Sequence, residues 1–330
     1  MHQHSIELLP WQSALWMQWQ AQIRERRLHH AVMLLAPSGS GRHYLTRALS
    51  RALLCQNLDD DACGQCHSCR LYAAQTHPDY HCVEAEEGKK ITVDAIRQAN
   101  RWAVETSQLG GHRIIEIRDA QLLGEAAANA LLKTLEEPPQ GCHYLLTANG
   151  VDGVLPTIIS RCSQWRQPYI SAEEVTQWLK QSQRVVDADF LHLYQQSPLG
   201  IVAKLDAGYL PLLDELVGAF TDLVQPPYLG LNRNAELLVK AGDDGLYWLQ
   251  MLLLDALKHQ QGVEVSLCVY QHRYMSAQRL ASHCNAEQLL SQLAKLQTLQ
   301  SQLLQSSGLN RELLVTQWLC GFIKGESSVS

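Results

Sequence analysis

Short apolar runs alternate with helical spacing through the first half of the chain. Ala31-Val-Met-Leu-Leu-Ala36 has no polar position, which predicts a buried strand. A glycine-containing loop follows, then a helix from about Tyr44 to Leu54. From Thr92 to Thr106 the apolar positions Val93, Ile96, Ala99 and Ala103 recur at helical intervals. Arg113–Ile117 and His143–Thr147 read as strands, and Asp152–Ser160 as a short helix. Glu125–Glu137 is alanine- and leucine-rich and stops at Pro138-Pro139, which cannot continue a helix. Strands alternating with helices predict an α/β domain with a parallel sheet covered on both faces.

The pattern becomes helical throughout after Pro168. Ser171-Ala-Glu-Glu174 has the form of a capping box, in which a hydroxyl and a carboxylate three residues apart satisfy free backbone donors. Helices are expected over Glu173–Gln183, Tyr209–Val224, Leu246–Gln260, Ala286–Ser306 and Arg311–Ile323. The leucines at 289, 290, 293, 296, 299, 303 and 304 form an amphipathic stripe. It reads as core packing in a helical bundle, compatible with a share in a subunit interface. Gln225-Pro-Pro227 and Asn232-Arg-Asn234 are turn-like, and the tail after Gly325 reads as frayed. No internal repeat stands out.

A length of 330 residues suits two or three domains. The composition, 46% hydrophobic and 18% charged, is that of a globular protein able to build a large core. No basic start followed by an apolar stretch and a cleavage site marks a secretory signal. The most apolar segment, Leu246–Leu257, contains Gln250 and Asp255 and is too short to span a bilayer. A cytoplasmic location with no membrane partner is expected. Residues 1–166 carry 16 basic and 17 acidic side chains, and the remainder 11 and 16, for a net charge of −6. Neither half has the basic excess of an autonomous duplex-binding domain.

Ten cysteines in a cytosolic chain are not expected to form a disulfide framework. Cys55, Cys63, Cys66 and Cys69 have the spacing C-x7-C-x2-C-x2-C, which brings four sulfurs onto one small loop. Such a set closes a tetrahedral site and predicts structural zinc (Zn2+), since no open position is left for catalysis. The competing reading is four reduced thiols in a surface loop. Gly64 permits the tight turn, and His67 is not needed as a ligand. Cys82, Cys142, Cys268, Cys284 and Cys320 lack such spacing and read as core.

Ala36-Pro-Ser-Gly39-Ser-Gly41-Arg42-His43 stands where a phosphate-binding loop of form G-x4-G-K-[ST] would be. Gly39 and Gly41 retain the backbone freedom. Arg42 replaces the lysine and could still meet a phosphate. His43 replaces the hydroxyl and offers no oxygen to magnesium. After the strand ending at Ile117, an active ATPase would place Asp-Glu; this chain has Arg118-Asp119. A guanidinium repels a metal ion instead of ligating it. No functional ATP site is therefore expected here. His77 and Asp79 lie in a proline turn and read as structural.

His29-His-Ala31, the altered loop, the cysteine cluster, Thr76-His-Pro-Asp79, Ala127–Pro139 and Ser160-Arg161-Cys162 together resemble the delta-prime family of bacterial clamp-loader subunits, of the AAA+ class. The resemblance is specific from about His29 to Cys162 and looser beyond. It implies a RecA-like AAA+ domain over 1–166 with an inserted zinc knuckle (55–69), a small helical lid over 167–208, and a helical collar over 209–330. It also implies a non-hydrolysing stator in a ring with gamma, tau and delta subunits, acting on a sliding clamp and primed DNA. Arg161 would be an arginine finger reaching a neighbour's ATP, a contribution worth roughly 10³–10⁵ in rate, with Ser160 and Cys162 positioning it. The sensor arginine of active relatives has no candidate between Val185 and Asn232, where Gln195–Gly200 lies. Two other functions are open to test: an active gamma-like ATPase, and a zinc-dependent nucleic-acid-binding protein.

Overall fold

The structure, a computed structural model, describes residues 8–59, 61–86, 88–305 and 308–323. The elements of the first half are α1 (Ser13–Arg24), β1 (Ala31–Leu35), α2 (Arg42–Leu54), α3 (His67–Ala73), β2 (Tyr80–Val83), α4 (Val93–Val104), β3 (Arg113–Ile117), α5 (Glu125–Glu136), β4 (Cys142–Ala148), α6 (Pro156–Ile159) and β5 (Ser163–Arg166). The strands form one parallel sheet in the order β2-β3-β4-β1-β5. β1 lies between β4 and β5, with Met33 opposite Leu146 and Gln164.

Alternation within the strands divides the core into two layers. Met33, Leu35, Ile115, Ile117, Tyr144 and Leu146 join the layer formed with α4 and α5. Val32, Leu34, Ile114 and Leu145 point into the other layer, where Trp16 and Trp19 of α1 and Leu45 and Leu49 of α2 are buried. Covered on both faces, β1 reads as an unbroken apolar run, as expected for a parallel sheet, while β3 and β4 bury Arg113, Glu116 and Thr147 among their apolar residues.

The remaining helices are α7 (Ala172–Gln181), α8 (Ala188–Tyr194), α9 (Pro198–Asp206), α10 (Tyr209–Leu223), α11 (Leu231–Ala241), α12 (Asp243–Gln260), α13 (Tyr274–His283), α14 (Ala286–Gln305) and α15 (Arg311–Ile323). Cα packing divides the chain into two compact units, Met1–Trp178 with Gln196–Gly200, and Leu179–Gln195 with Ile201–Ser330. In the second unit α12 packs on α10, α11, α13 and α14, and α15 on α11 and α14. The capping box forms: Glu174 N–H donates to Ser171 Oγ at 3.2 Å and Ser171 N–H to Glu174 Oε2 at 3.0 Å.

Several expectations need correction. The helix expected over 152–160 shrinks to α6, because Gly153 turns at φ +80° and Pro156 opens the helix. Asn232–Asn234 is the first turn of α11; Asn234 Nδ2 donates to the carbonyls of Gly230 and Ala219, both at 3.0 Å. The leucine stripe splits: Leu289, Leu293, Leu296 and Leu299 are buried, whereas Leu290 and Leu304 are exposed. Cys142, Cys268 and Cys284 are core residues, but Cys82 and Cys320 are half-buried. Ser306 and the tail after Gly325 lie outside the described residues.

Candidate functional site

The loop after β1 folds with Gly39 at φ +75° and Gly41 at φ +85°, both in the left-handed region. Space is as tight as the dihedral angles. A Cβ on Gly39 would lie 2.0 Å from Ser197 Oγ, and one on Gly41 would lie 2.1 Å from Leu9 Cδ1. Leu199 N–H donates to Gly39 O at 2.9 Å, Trp11 Nε1 to Ser40 O at 2.8 Å, and Gln12 Nε2 to Gly41 O at 2.7 Å. Three consecutive carbonyls are thus held by residues outside the loop.

Arg42, at the phosphate-binding lysine position, turns inward and is 3% exposed. Its Nη1 donates to Ala36 O at 3.0 Å and Asn149 Oδ1 at 2.6 Å, while Nη2 pairs with Asp119 Oδ1. Asp119 has a left-handed backbone at φ +57° and also accepts from Gln121 Nε2 at 2.7 Å. The cation of one half of the site and the carboxylate of the other therefore neutralise each other.

Arg118 lies between two carboxylates. Its Nε donates to Glu116 Oε1 at 3.2 Å and its Nη1 to Glu84 Oε2 at 2.9 Å. Burial works to lower its pKa, but Glu116, together with Cys82, Glu84 and Tyr80, outweighs burial and holds it above the ordinary value. Glu116 is fully buried and also accepts from Thr46 Oγ1 at 2.9 Å and from Tyr80 OH. His43 Nδ1 stands 4.0 Å from the same carboxylate. Burial, reinforced by Arg118, depresses the imidazole pKa, so the ring is neutral at pH 7. His43, Arg118, Glu84, Arg47 and Tyr80 line a cavity of about 450 Å³. The buried carboxylate beside it is bound by an arginine and two hydroxyls, which leaves no free oxygen pair for a metal ion.

Arg161 joins neither group. It follows α6, and its Nε donates to Glu136 Oε1 at 2.8 Å, with Nη2 on the same oxygen. Nη1 donates to Thr157 O at 2.9 Å and Ser160 Oγ at 3.3 Å. Cys162 is buried, and burial pushes its thiol up to about 12, so it packs and stays protonated.

The sulfurs of Cys55, Cys63, Cys66 and Cys69 all lie within 4.8 Å of one another. A tetrahedral Zn–S₄ centre with bonds of about 2.3 Å spaces its sulfurs by ~3.8 Å, so the set fits the ion. Backbone amides support the sulfurs: Cys63 N–H donates to Cys55 Sγ at 3.3 Å, Cys66 N–H to Cys63 Sγ at 3.3 Å, and Cys69 N–H to Cys66 Sγ at 3.4 Å. The Gln65 and Cys66 amides draw the Cys63 thiol down to about 6. Gly64 makes the turn at φ +72°. His67 is outside the group, and so are His77 and Asp79. Asp79 instead accepts from Ser107 Oγ and from the Gln108 and Leu109 amides at 2.8–3.1 Å, a structural role.

Sequence motifs located Arg42, Arg118, Asp119, Arg161 and the cysteines. They missed Trp11, Gln12, Asn149 and Glu116, which carry no local motif, and the Ala127–Pro139 segment did not single out Glu136; all five become partners only through the fold.

Residues 11–169 match the family described as DNA polymerase III, delta subunit, and residues 226–324 match its C-terminal counterpart. The DNA polymerase III subunit delta' of Yersinia pestis is 38% identical, with 94% of each chain covered. That of Escherichia coli K12 is 36% identical over 89% of this chain and 88% of its own. A DNA polymerase III subunit gamma from Buchnera aphidicola (subsp. Acyrthosiphon pisum) is 32% identical over 47% of this chain and 42% of its own.

Proposed function

The chain belongs to the delta-prime family of DNA polymerase III subunits, and on that premise we propose that it is a non-hydrolysing stator of the clamp loader. It supports ATP-dependent loading of the sliding clamp onto primed DNA, in a cytoplasmic complex with gamma or tau and delta subunits. The Arg42–Asp119 ion pair carries this reading. An incoming triphosphate would have to separate two charges that already satisfy each other. Arg118 supplies a second cation in place of a metal ligand.

Arg161 supports a contribution in trans. It is at the surface and held by a single exposed carboxylate. A guanidinium delivered to the ATP of a gamma or tau neighbour would stabilise charge developing on the transferred phosphoryl group. We assign the four cysteines to a structural zinc ion that fastens residues 55–69 to the end of α2. The domain division 1–166, 167–208 and 209–330 belongs to the same proposal. Among the described residues no helix is long and apolar enough to cross a membrane.

The test is ATP hydrolysis by the reconstituted complex with DNA and clamp, comparing the native chain with Arg161→Ala. The expected result is a clear loss of stimulated rate with assembly intact, and no turnover by the isolated chain. Magnesium-dependent turnover by the isolated chain would instead identify an active gamma-like ATPase. Tight, salt-sensitive DNA binding lost on chelation would identify a zinc-dependent nucleic-acid-binding protein.

A further inference from the structure

Glu136 closes α5, the helix stopped by Pro138-Pro139. The turn carrying it is anchored where His30 Nε2 meets Leu135 O at 3.0 Å. Its carboxylate is therefore presented to Arg161 from a fixed element. The contact uses the guanidinium edge formed by Nε and Nη2, both directed to Oε1. The Nη1 protons go to Thr157 O and Ser160 Oγ. An arginine has five N–H donors and grips a phosphoryl group best through two parallel ones along one edge. Four are engaged here, so no edge is left for a two-point grip.

We propose that Glu136 is a positioning residue that holds Arg161 at rest, and that a phosphoryl group must displace it before the finger can engage. This rests on the trans-acting role of Arg161 proposed above. The hold is weak by construction. The Arg161 and Glu136 side chains are 32% and 50% exposed, and a pair that open to solvent is screened and readily exchanged. A triphosphate carries more charge than one carboxylate, so the exchange favours the neighbour's nucleotide once it is in reach. Until then the arginine stays folded along α6 instead of sampling solvent.

Glu136→Gln keeps the size and removes the charge. In the reconstituted complex it should raise ATP hydrolysis without DNA and clamp by roughly 2- to 5-fold, the range set by a surface ion pair. The fully stimulated kcat should be unchanged, because there Arg161 has already left Glu136. Glu136→Asp should return the resting rate towards the native value. In an Arg161→Ala background, Glu136→Gln should have no effect. An unchanged resting rate would overturn the proposal. So would a fall in stimulated kcat, which would make Glu136 a required support, or the same rise without Arg161. If Arg161→Ala leaves both rates unaltered, the trans-acting role itself fails and the proposal with it. If only the Glu136 variants are silent, the finger stands and the holding role does not.

Discussion

Asp119→Asn removes the charge that neutralises Arg42 while keeping the side-chain shape. Asparagine tolerates the left-handed backbone at φ +57°, and its amide oxygen can still accept from the guanidinium. What disappears is the counter-charge of a side chain only 4% exposed. Removing one partner of a buried ion pair costs about 3–5 kcal/mol. The Asp119 side chain is 29% exposed, and Arg42 keeps its bonds to Ala36 O and Asn149 Oδ1, which reduces the cost. The expected loss is about 2 kcal/mol, or roughly 30-fold in the local opening equilibrium. Amide hydrogen exchange read by mass spectrometry over residues 31–54 isolates this term from unfolding elsewhere in the chain. Exchange across β1 and α2 should accelerate by about that factor, with little change over residues 209–323. Acceleration below about twofold would show that Arg42 does not depend on Asp119. The two charges would then not be what closes the site.

Metal analysis of the purified chain should find zinc bound through the four cysteines, and Cys66→Ser should abolish it and raise exchange over residues 61–73. Zinc content unaffected by that substitution would exclude the assigned ligand set. Stability should also fall in mild acid through His143. Burial, and then the neighbouring His112 ring 4.9 Å away, hold its pKa at about 4 against an ordinary 6.5. The unfolded chain therefore takes the proton first. The contribution is present in full above pH 6.5 and is lost as pH falls towards 4. Its size is on the order of 2–3 kcal/mol. Urea midpoints should drop between pH 7 and 4.5, and less steeply in His143→Gln; an equal slope in both would assign the effect to other groups.

The legible parts of the fold were those whose environment is uniform along the chain. β1, β3 and β4 are central and covered on both faces; β1 is apolar throughout, and β3 and β4 keep the apolar stretches Ile114-Ile115 and Tyr144-Leu-Leu146 around their few polar positions. β2 and β5 are the two edges of the sheet. Ser163-Gln-Trp-Arg166 alternates half-buried and exposed positions, and Tyr80-His-Cys-Val83 buries fully only its last residue. Neither offers the apolar run by which a strand is recognised. The leucines of α14 span a wider arc than the neighbouring helices cover, so spacing alone could not separate Leu289 from Leu290. At the candidate site, the cysteine cluster was legible because its geometry is local. The pairing of Arg42 with Asp119 joins residues 77 apart, and that of Arg161 with Glu136 joins residues 25 apart. Each member stands out as an unusual residue in a motif or lies beside one, but the partnership exists only once the strands have been laid side by side.

The three clamped carbonyls of the 39–41 loop have a historical consequence. A lineage returning to nucleotide binding could not do so by exchanging Arg42 for lysine and Arg118 for aspartate. Trp11, Gln12 and the 197–199 segment hold the loop as it now stands, and Leu9 and Ser197 occupy the space beside its glycines. Each reversal taken singly would strand a buried carboxylate or an unmatched acceptor before any benefit arrived. The altered loop therefore resists piecemeal restoration, and only a concerted set of changes would reopen it.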